Sequence, residues 1–223
     1  MTKQLFFQAI TKFFLGILLV GLLIFLPAGT LHYPQGWLLM GILFGPMFLA
    51  GLVMMARNPA LLKRRLDAKE TQREQDRMVK LSGLMFLAGF VAAGLSFRFD
   101  RFLLPWWVSL TGAGLFLLAY ILYAEVLREN TWLSRTIDVQ ENQTVVDTGL
   151  YHLVRHPMYS ATLLLFLAMP LVLGSLPSFV IFLVYPALIV GRLKHEETVL
   201  EQELAGYAAY KTKVKYRLIP FLW

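Results

Sequence analysis

The stretch that decides the fold is an uncharged run near the N-terminus, "FFLGILLVGLLIFLPAGTLHYPQGWLLMGILFGPMFLAGLVMMA" at residues 13–56. Its 44 residues contain no Asp, Glu, Lys or Arg. A bilayer core of roughly 30 Å requires about 20 apolar residues in a helix. The run therefore predicts two membrane-spanning helices joined by a short turn.

Three more uncharged runs follow, at residues 81–97, 102–124 and 157–191. By length, the first two are one span each, whereas the third is interrupted by "GSLPS" at 174–178 and predicts a tight hairpin of two short arms. The sequence thus predicts an all-α integral membrane protein with about six transmembrane helices. The predicted spans lie near residues 5–27, 36–56, 80–97, 105–127, 158–174 and 178–192.

Composition supports this class of protein and suggests its orientation. Hydrophobic residues make up 57% of the chain, charged residues 16%, and the mean hydropathy is +0.60. Of the 21 Lys and Arg residues, eight lie in 57–80 and six from residue 192 onward. The positive-inside rule then predicts that both termini and the two long loops are cytoplasmic. The net charge of +7 is interpreted as a topology signal and an attraction to anionic lipid, with no nucleic-acid partner.

The chain is predicted to form a single membrane domain over residues 1–223, with four spans in 1–127 and a cofactor-binding catalytic half in 128–223. Beyond Arg192 the pattern predicts one cytoplasmic amphipathic helix that reaches Val214. Gly112 and Gly114 predict a close helix contact. The absence of cysteine excludes disulfides, thiolate metal sites and a cysteine nucleophile, and no metal is predicted.

The motif "GLYHLVRHPMYS" at residues 149–160 places Arg155 and His156 directly before Pro157, at the start of the fifth span. Proline suits the first turn of a helix, so this helix is predicted to begin behind "RH". Free N–H groups at a helix N-terminus attract anions, and Arg155 adds a charge that suits a carboxylate or a phosphate. The motif therefore predicts an anion site at this terminus.

A second polar group follows 37 residues after Arg155, where Arg192 precedes Glu196 and Glu197. Arg192 and Glu196 are four residues apart and share a helix face. The hairpin brings both groups to one side of the membrane, where they would enclose a zwitterionic ligand such as an amino-acid head group. Taken singly, the same residues are typical of snorkelling anchors, a solvated helix start and interfacial aromatics.

Several motifs together resemble the isoprenylcysteine carboxyl methyltransferase family, whose wider group includes phospholipid N-methyltransferases and small-thiol S-methyltransferases. These motifs are "GLYHLVRHPMY", "EETVL", "GYAAYKTKV" and "RLIP", in this order between Gln143 and Pro220. The resemblance implies an enzyme that binds S-adenosylmethionine at the cytoplasmic face and receives a hydrophobic or lipid-like methyl acceptor from the bilayer.

The resemblance also implies the site residues. Arg192, Glu196 and Glu197 are assigned to catalysis, with Arg192 at the family's substrate-contacting position. The implied cofactor contacts are Gln143, Thr144, Val145, Val146, Tyr151, Arg155, His156, Pro157, Met158, Tyr159 and Glu196. Two positions depart from the family pattern, since Gln143 and Thr136 stand where the family has histidine and glutamine. Both bear on adenosine recognition.

The sequence leaves the acceptor open between a carboxylate, an amine and a thiol. Methyl transfer chiefly requires alignment of donor and acceptor and exclusion of water, and only an amine must also lose a proton. A membrane reductase of the steroid-reductase type, using NADPH, is the alternative of another class. A non-catalytic scaffold or small transporter is a third, although its polar groups would be expected near the bilayer midplane.

Overall fold

The computed structural model describes residues 3–66, 73–133 and 139–223, and it contains nine α-helices and one short 3-10 helix in those ranges. Within them the secondary structure is helical, apart from an isolated bridge between Leu103 and Ser175. The α-helices are α1 (Lys3–Ala28), α2 (Pro34–Arg57), α3 (Pro59–Leu66), α4 (Arg73–Arg98), α5 (Trp106–Glu129), α6 (Pro157–Val172), α7 (Leu176–Phe182), α8 (Tyr185–Glu203) and α9 (Tyr207–Lys213). The 3-10 helix spans Gly149–His152.

Five helical segments are long and apolar enough to cross a membrane, which confirms the predicted all-α membrane fold. They are α1, α2, the part of α4 from Arg77, α5, and the combined α7 and α8. The remaining predicted span is α6, which has only 16 residues and a length of about 24 Å. The two arms of the predicted hairpin therefore differ in length: the first arm is α6, and the second arm, α7 and α8 together, runs for 28 residues.

The helices alternate in direction, so the bundle has two ends. Three turns meet at one end, where the Leu104 N–H donates to the Gly174 carbonyl at 2.8 Å and the Tyr33 hydroxyl donates to the Leu173 carbonyl at 2.6 Å. We call the opposite end the site end. It holds the starts of α1 and α6 and the ends of α2, α5 and α8.

The most extensive helix contact joins α5 to α6. A Cβ atom added at Gly112 would lie 2.8 Å from the Leu171 Cβ, so only glycine permits this approach. Gly114 has no atom within 4 Å of the same hypothetical Cβ. The sequence prediction is therefore confirmed for Gly112 and wrong for Gly114.

The predicted continuous helix from Arg192 to Val214 is also wrong. Residues 192–203 continue α8, and the chain then breaks before α9. The break falls at Gly206, which has a φ of +86°, a conformation that glycine adopts without steric cost. Leu204 and Tyr207 on either side are both buried, so the break turns their side chains inward instead of continuing a solvated helix.

Candidate active site

The loop from α5 to α6 is fixed by a glycine. Gly149 has a φ of +54°, and a Cβ atom there would lie 2.8 Å from the Cδ of Glu129. The Glu129 carboxylate also accepts a hydrogen bond of 2.6 Å from the Thr148 hydroxyl. These contacts place the following 3-10 helix against the end of α5, where the Asn130 side chain donates to the Tyr151 hydroxyl at 2.9 Å.

The "RHP" motif begins α6 as the sequence predicts, with His156 as the N-cap and Pro157 as the first helical residue. The N–H groups of Arg155 and His156 donate to the carbonyls of Tyr216 and Arg217, at 2.9 and 3.0 Å. We call residues 214–223 the tail. These two N–H groups are bonded to tail carbonyls, so neither N–H group is part of the anion site that the sequence predicts here.

Behind the motif lies a group of charges, the Glu197 cluster, formed by the buried Arg155, His156 and Glu197 and the partly exposed Arg217. The Glu197 carboxylate accepts from the Nε atoms of Arg155 and Arg217 at 2.7 and 3.0 Å, and its Oε1 lies 3.3 Å from the His156 Nε2. The Arg155 and Glu197 side chains are only 4% and 5% exposed. Arg155 also donates to the carbonyls of Val214 and Lys215. The cluster therefore fastens the tail to α6 and α8.

A second polar group connects α6 to α8. It is formed by Arg192, Tyr159 and Glu196, and we call it the Tyr159 chain. The Arg192 Nε donates to the Tyr159 hydroxyl at 3.1 Å, and that hydroxyl donates to the Glu196 carboxylate. The His156 ring stacks on Tyr159 with centroids 5.8 Å apart, and its Nδ1 lies 4.0 Å from the Glu196 Oε1. Arg192 and Glu196 are thus both hydrogen-bonded to the Tyr159 hydroxyl, which agrees with the helix face that they share.

The Tyr159 chain forms part of the wall of a cavity at the site end, which encloses about 110 Å³. Its lining combines the α5–α6 loop, the start of α6, α8 and α9. The predicted site residues on this wall are Gln143, Thr144, Val145, Val146, Tyr151, Arg155, His156, Met158, Tyr159, Arg192 and Glu196. Pro157 and Glu197 are not among the lining residues, since Pro157 is buried in the first turn of α6 and Glu197 in its cluster.

The cavity is also lined by residues that the sequence analysis did not predict as site residues. These residues follow α5 or belong to the α8–α9 region: Asn130, Trp132, Leu133, Val199, Leu200, Leu204, Tyr207 and Tyr210. Tyr207 and Tyr210 lie three residues apart within the quoted "GYAAY" motif, which would have placed them on one helix face. The sequence interpretation used this motif for the family resemblance and did not predict that its two tyrosines line the cavity.

Gln143 shapes the loop beside the cavity. Its side-chain oxygen accepts from the Gln140 backbone N–H at 2.9 Å, while the Gln140 side chain donates to the Trp132 carbonyl at 2.5 Å. This local turn orients Thr144, Val145 and Val146 along the cavity. The other departure from the family pattern, Thr136, lies outside the described residues.

Two tyrosines close the cavity from α9. Burial raises the pKa of both hydroxyls, and for Tyr207 the nearby Glu197 and Glu196 raise the pKa further. Both side chains are therefore neutral at physiological pH. The Tyr210 hydroxyl donates to the Tyr151 carbonyl at 2.6 Å, which joins α9 to the α5–α6 loop. Within the described ranges, no three His, Asp or Glu side chains are grouped as a metal site.

Most of the cavity lining, together with the Tyr159 chain and Glu197, lies in a segment that matches a known family, whereas Tyr207, Tyr210 and Arg217 lie beyond it. Residues 107–205 match the family model of phospholipid methyltransferases. The match confirms the predicted resemblance to this group and supports a membrane methyltransferase. It runs from the beginning of α5 to just beyond α8. Comparison with curated protein sequences gave no match.

Proposed function

We propose that the protein is an S-adenosylmethionine-dependent methyltransferase that acts on a hydrophobic or lipid-like acceptor, with an activity resembling that of isoprenylcysteine carboxyl methyltransferases. The observation that carries this proposal is the Tyr159 chain on the wall of a cavity lined by both polar and apolar side chains, inside the segment matched to a methyltransferase family. When bound, S-adenosylmethionine supplies an electrophilic methyl group on a sulfonium ion.

The lining residues fit this cofactor chemically. The Glu196 carboxylate would pair with the ammonium group, and the apolar and aromatic side chains of Leu200, Leu204, Tyr207 and Tyr210 would hold the flat adenine ring. The enclosed volume of about 110 Å³ is smaller than the roughly 300 Å³ at the lower limit of ordinary small-molecule sites. Part of the cofactor would therefore extend beyond the enclosed space.

The side chains of the cavity would mainly align the reacting groups and exclude water, because an in-line methyl transfer needs no nucleophilic side chain. The rings of His156 and Tyr159 are about 5% exposed or less and would provide a dry, rigid floor. Arg192 would hold an anionic acceptor group next to Tyr159. Pro157 would act by fixing the start of α6, and Glu197 by holding Arg155 in place.

The acceptor class that we propose first is a carboxylate. A new bond would form between a carboxylate oxygen and the methyl carbon, the sulfur–methyl bond would break, and no proton would be released. Arg192 favours this class because a guanidinium group binds carboxylates in a fork-shaped geometry.

The second candidate is a phospholipid amine, favoured by the family to which residues 107–205 match. An amine must be unprotonated to attack, so this reaction would release a proton. Glu196 and His156 are the cavity residues suited to receive it. A small thiol is the remaining acceptor of the wider group.

Cofactor class is tested by calorimetric titration of the detergent-purified protein with S-adenosylhomocysteine and, separately, with NADPH. We expect saturable binding of S-adenosylhomocysteine and no binding of NADPH. The reverse result would replace the proposal with the membrane-reductase alternative.

Acceptor class is tested with S-adenosylmethionine that carries a labelled methyl group, incubated with the protein and a total membrane-lipid extract. A carboxyl methyl ester releases labelled methanol in mild alkali, whereas N-methyl and S-methyl products keep their label. We expect alkali-labile product from the wild type and at least a tenfold loss in Arg192→Gln. Alkali-stable label in an amine-containing lipid would select the second candidate.

We also propose that both termini are cytoplasmic, so that the cavity opens toward the compartment that supplies the cofactor. The support is the excess of Lys and Arg at the site end. A topology reporter fused after Trp223 should read as cytoplasmic, and an extracytoplasmic signal would reverse the orientation.

A further inference from the structure

A second, larger cavity lies at the site end between α1, α2, α3 and α5. It encloses about 410 Å³, within the roughly 300–1,000 Å³ that is usual for small-molecule sites. Its lining is almost entirely apolar and includes Phe13, Met47, Gly51, Met54 and Leu127. A cavity of this size and character fits a hydrocarbon chain.

This cavity is separate from the candidate active site. The two cavities share no lining residue, and the last turns of α5 stand between them. Leu127 faces the larger cavity, whereas Asn130 and Leu133 line the smaller one. A molecule in the larger cavity would therefore not contact Arg192 or Glu196.

One cation, Lys12, lies among the apolar lining residues. Its ammonium group donates to the Leu66 carbonyl at 2.6 Å and joins α1 to the end of α3. Lys12 precedes the end of α1 at Ala28 by 16 residues, which is about 24 Å of helix. In a membrane-spanning α1, Lys12 therefore lies near the headgroups, and the cavity lies at the same level, since Ala9, Ile10 and Phe13 also line it.

The described parts of α1, α2 and α3 around this cavity carry basic residues and no acidic ones. Residues 1–66 contain no Asp or Glu. Arg57 follows the lining segment of α2, Lys63 lies between the lining residues Leu62 and Leu66 of α3, and both are exposed. On α5 the nearby Glu125 is paired with Arg128 at 2.7 Å. The charged residues of α1, α2 and α3 that the structure describes beside the cavity, Lys12, Arg57 and Lys63, are thus all basic and complement an anionic headgroup.

We propose that this cavity binds an acyl chain of an anionic phospholipid, with the lipid phosphate beside Lys12. The lipid would be a bound component that stabilises the packing of α1, α2 and α3 against α5, distinct from the methyl acceptor. The proposal rests on this cavity alone and is independent of the proposed enzymatic function.

The test uses a glycine pair on α2. A Cβ atom at Gly51 would have no neighbour within 4 Å, so Gly51→Phe should fill the cavity without a backbone clash. Gly45→Phe is the matched control, because Gly45 has equally open surroundings but does not line the cavity. Gly51→Leu serves as a smaller replacement if the phenylalanine variant does not fold.

The probe is phosphatidylglycerol, compared with phosphatidylcholine of the same acyl chains, and binding to the detergent-purified protein is followed by native mass spectrometry. We expect the wild type and Gly45→Phe to retain one phosphatidylglycerol in preference to phosphatidylcholine. Gly51→Phe should lose that bound lipid. Equal retention by the Gly51 and Gly45 variants, or no retention by the wild type, would overturn the proposal.

The headgroup contact is tested by Lys12→Gln. Removal of one basic residue from an anionic lipid site should lower phosphatidylglycerol affinity about fivefold and leave phosphatidylcholine affinity unchanged. Lys3→Gln, at the beginning of the same helix and outside the lining, should have little effect. Equal affinities for the two lipids in the wild type would overturn the assignment of an anionic headgroup.

Discussion

Glu196 and Glu197 are neighbours on α8, yet they belong to two different regions. Glu197 is buried within the Glu197 cluster, and Glu196 lies on the cavity wall. Glu197 is bonded by Arg155, Arg217 and His156, and its side chain is 5% exposed. Glu196 accepts from Tyr159, keeps 23% of its side chain exposed and lines the cavity. Neighbouring helical residues project about 100° apart, so one carboxylate stabilises the fold while the other faces the ligand space.

The comparison is tested most strongly by Glu197→Gln. This change removes the charge between two arginines and leaves the buried Arg155 without its ion-pair partner. Breaking a buried ion pair costs about 3–5 kcal/mol, so we expect a large loss of unfolding free energy and release of the tail. The measurement is thermal unfolding in detergent, together with proteolysis of the tail.

The matched control is Glu201→Gln, which lies about one helical turn after Glu197 on the same helix and belongs to neither the Glu197 cluster nor the Tyr159 chain. Glu201 pairs with Lys211 at the surface, where both side chains are more than a third exposed. Exposed pairs contribute about 0–1 kcal/mol, so this variant should unfold close to the wild type. Similar midpoints for the two variants would show that the Glu197 cluster is not a structural fastening.

The cavity region is tested by Glu196→Gln. If Glu196 binds the charged end of the cofactor, its neutral isostere should lose roughly 1.5–3 kcal/mol of binding, which is about ten- to a hundredfold in affinity. Stability should change far less than in Glu197→Gln, because Glu196 is partly solvated. The measurement is the dissociation constant of S-adenosylhomocysteine, with thermal unfolding as the control.

Glu203→Gln, exposed at the end of α8, should leave that dissociation constant unchanged. If Glu196→Gln also leaves it unchanged in a protein that binds the ligand, Glu196 is not a cofactor contact. That result would count against the proposed cofactor orientation, because the described cavity lining includes no second carboxylate and Glu197 is enclosed by its cluster.

Much of the fold follows from the sequence because bilayer thickness and charge exclusion act on long segments. The uncharged runs predict the spans, and Pro157 predicts the start of α6. The break at Gly206 could not be predicted in the same way. It depends on Leu204 and Tyr207 being buried against the α5–α6 loop, which is a tertiary contact.

The candidate site shows the same division. Local spacing predicts that Arg192 and Glu196 share a face, and the hairpin brings them to "RHP". Spacing does not indicate that the tail returns to Arg155, because that contact joins residues about 60 positions apart. The sequence interpretation gave Arg155 to the ligand and did not anticipate its bonds to Glu197 and the tail; Arg155 also lines the cavity, so its contact with the cofactor stays a prediction.

The smallest expected effect is a difference in unfolding free energy between the phenylalanine variants of Tyr207 and Tyr210, the two tyrosines of α9 that line the cavity. Tyr210 donates to the buried Tyr151 carbonyl at 2.6 Å, whereas the Tyr207 hydroxyl lies 3.5 Å from the His156 Nε2, beyond normal hydrogen-bond length. Tyr210→Phe leaves a buried carbonyl without this donor, so we expect a loss of about 1.5 kcal/mol in unfolding free energy. Tyr207→Phe removes an equal group with a weak contact and should lose less than about 0.5 kcal/mol. Thermal unfolding of both variants measures the difference. A larger loss in Tyr207→Phe would mean that α9 is held through the Glu197 cluster and His156, and not through the α5–α6 loop.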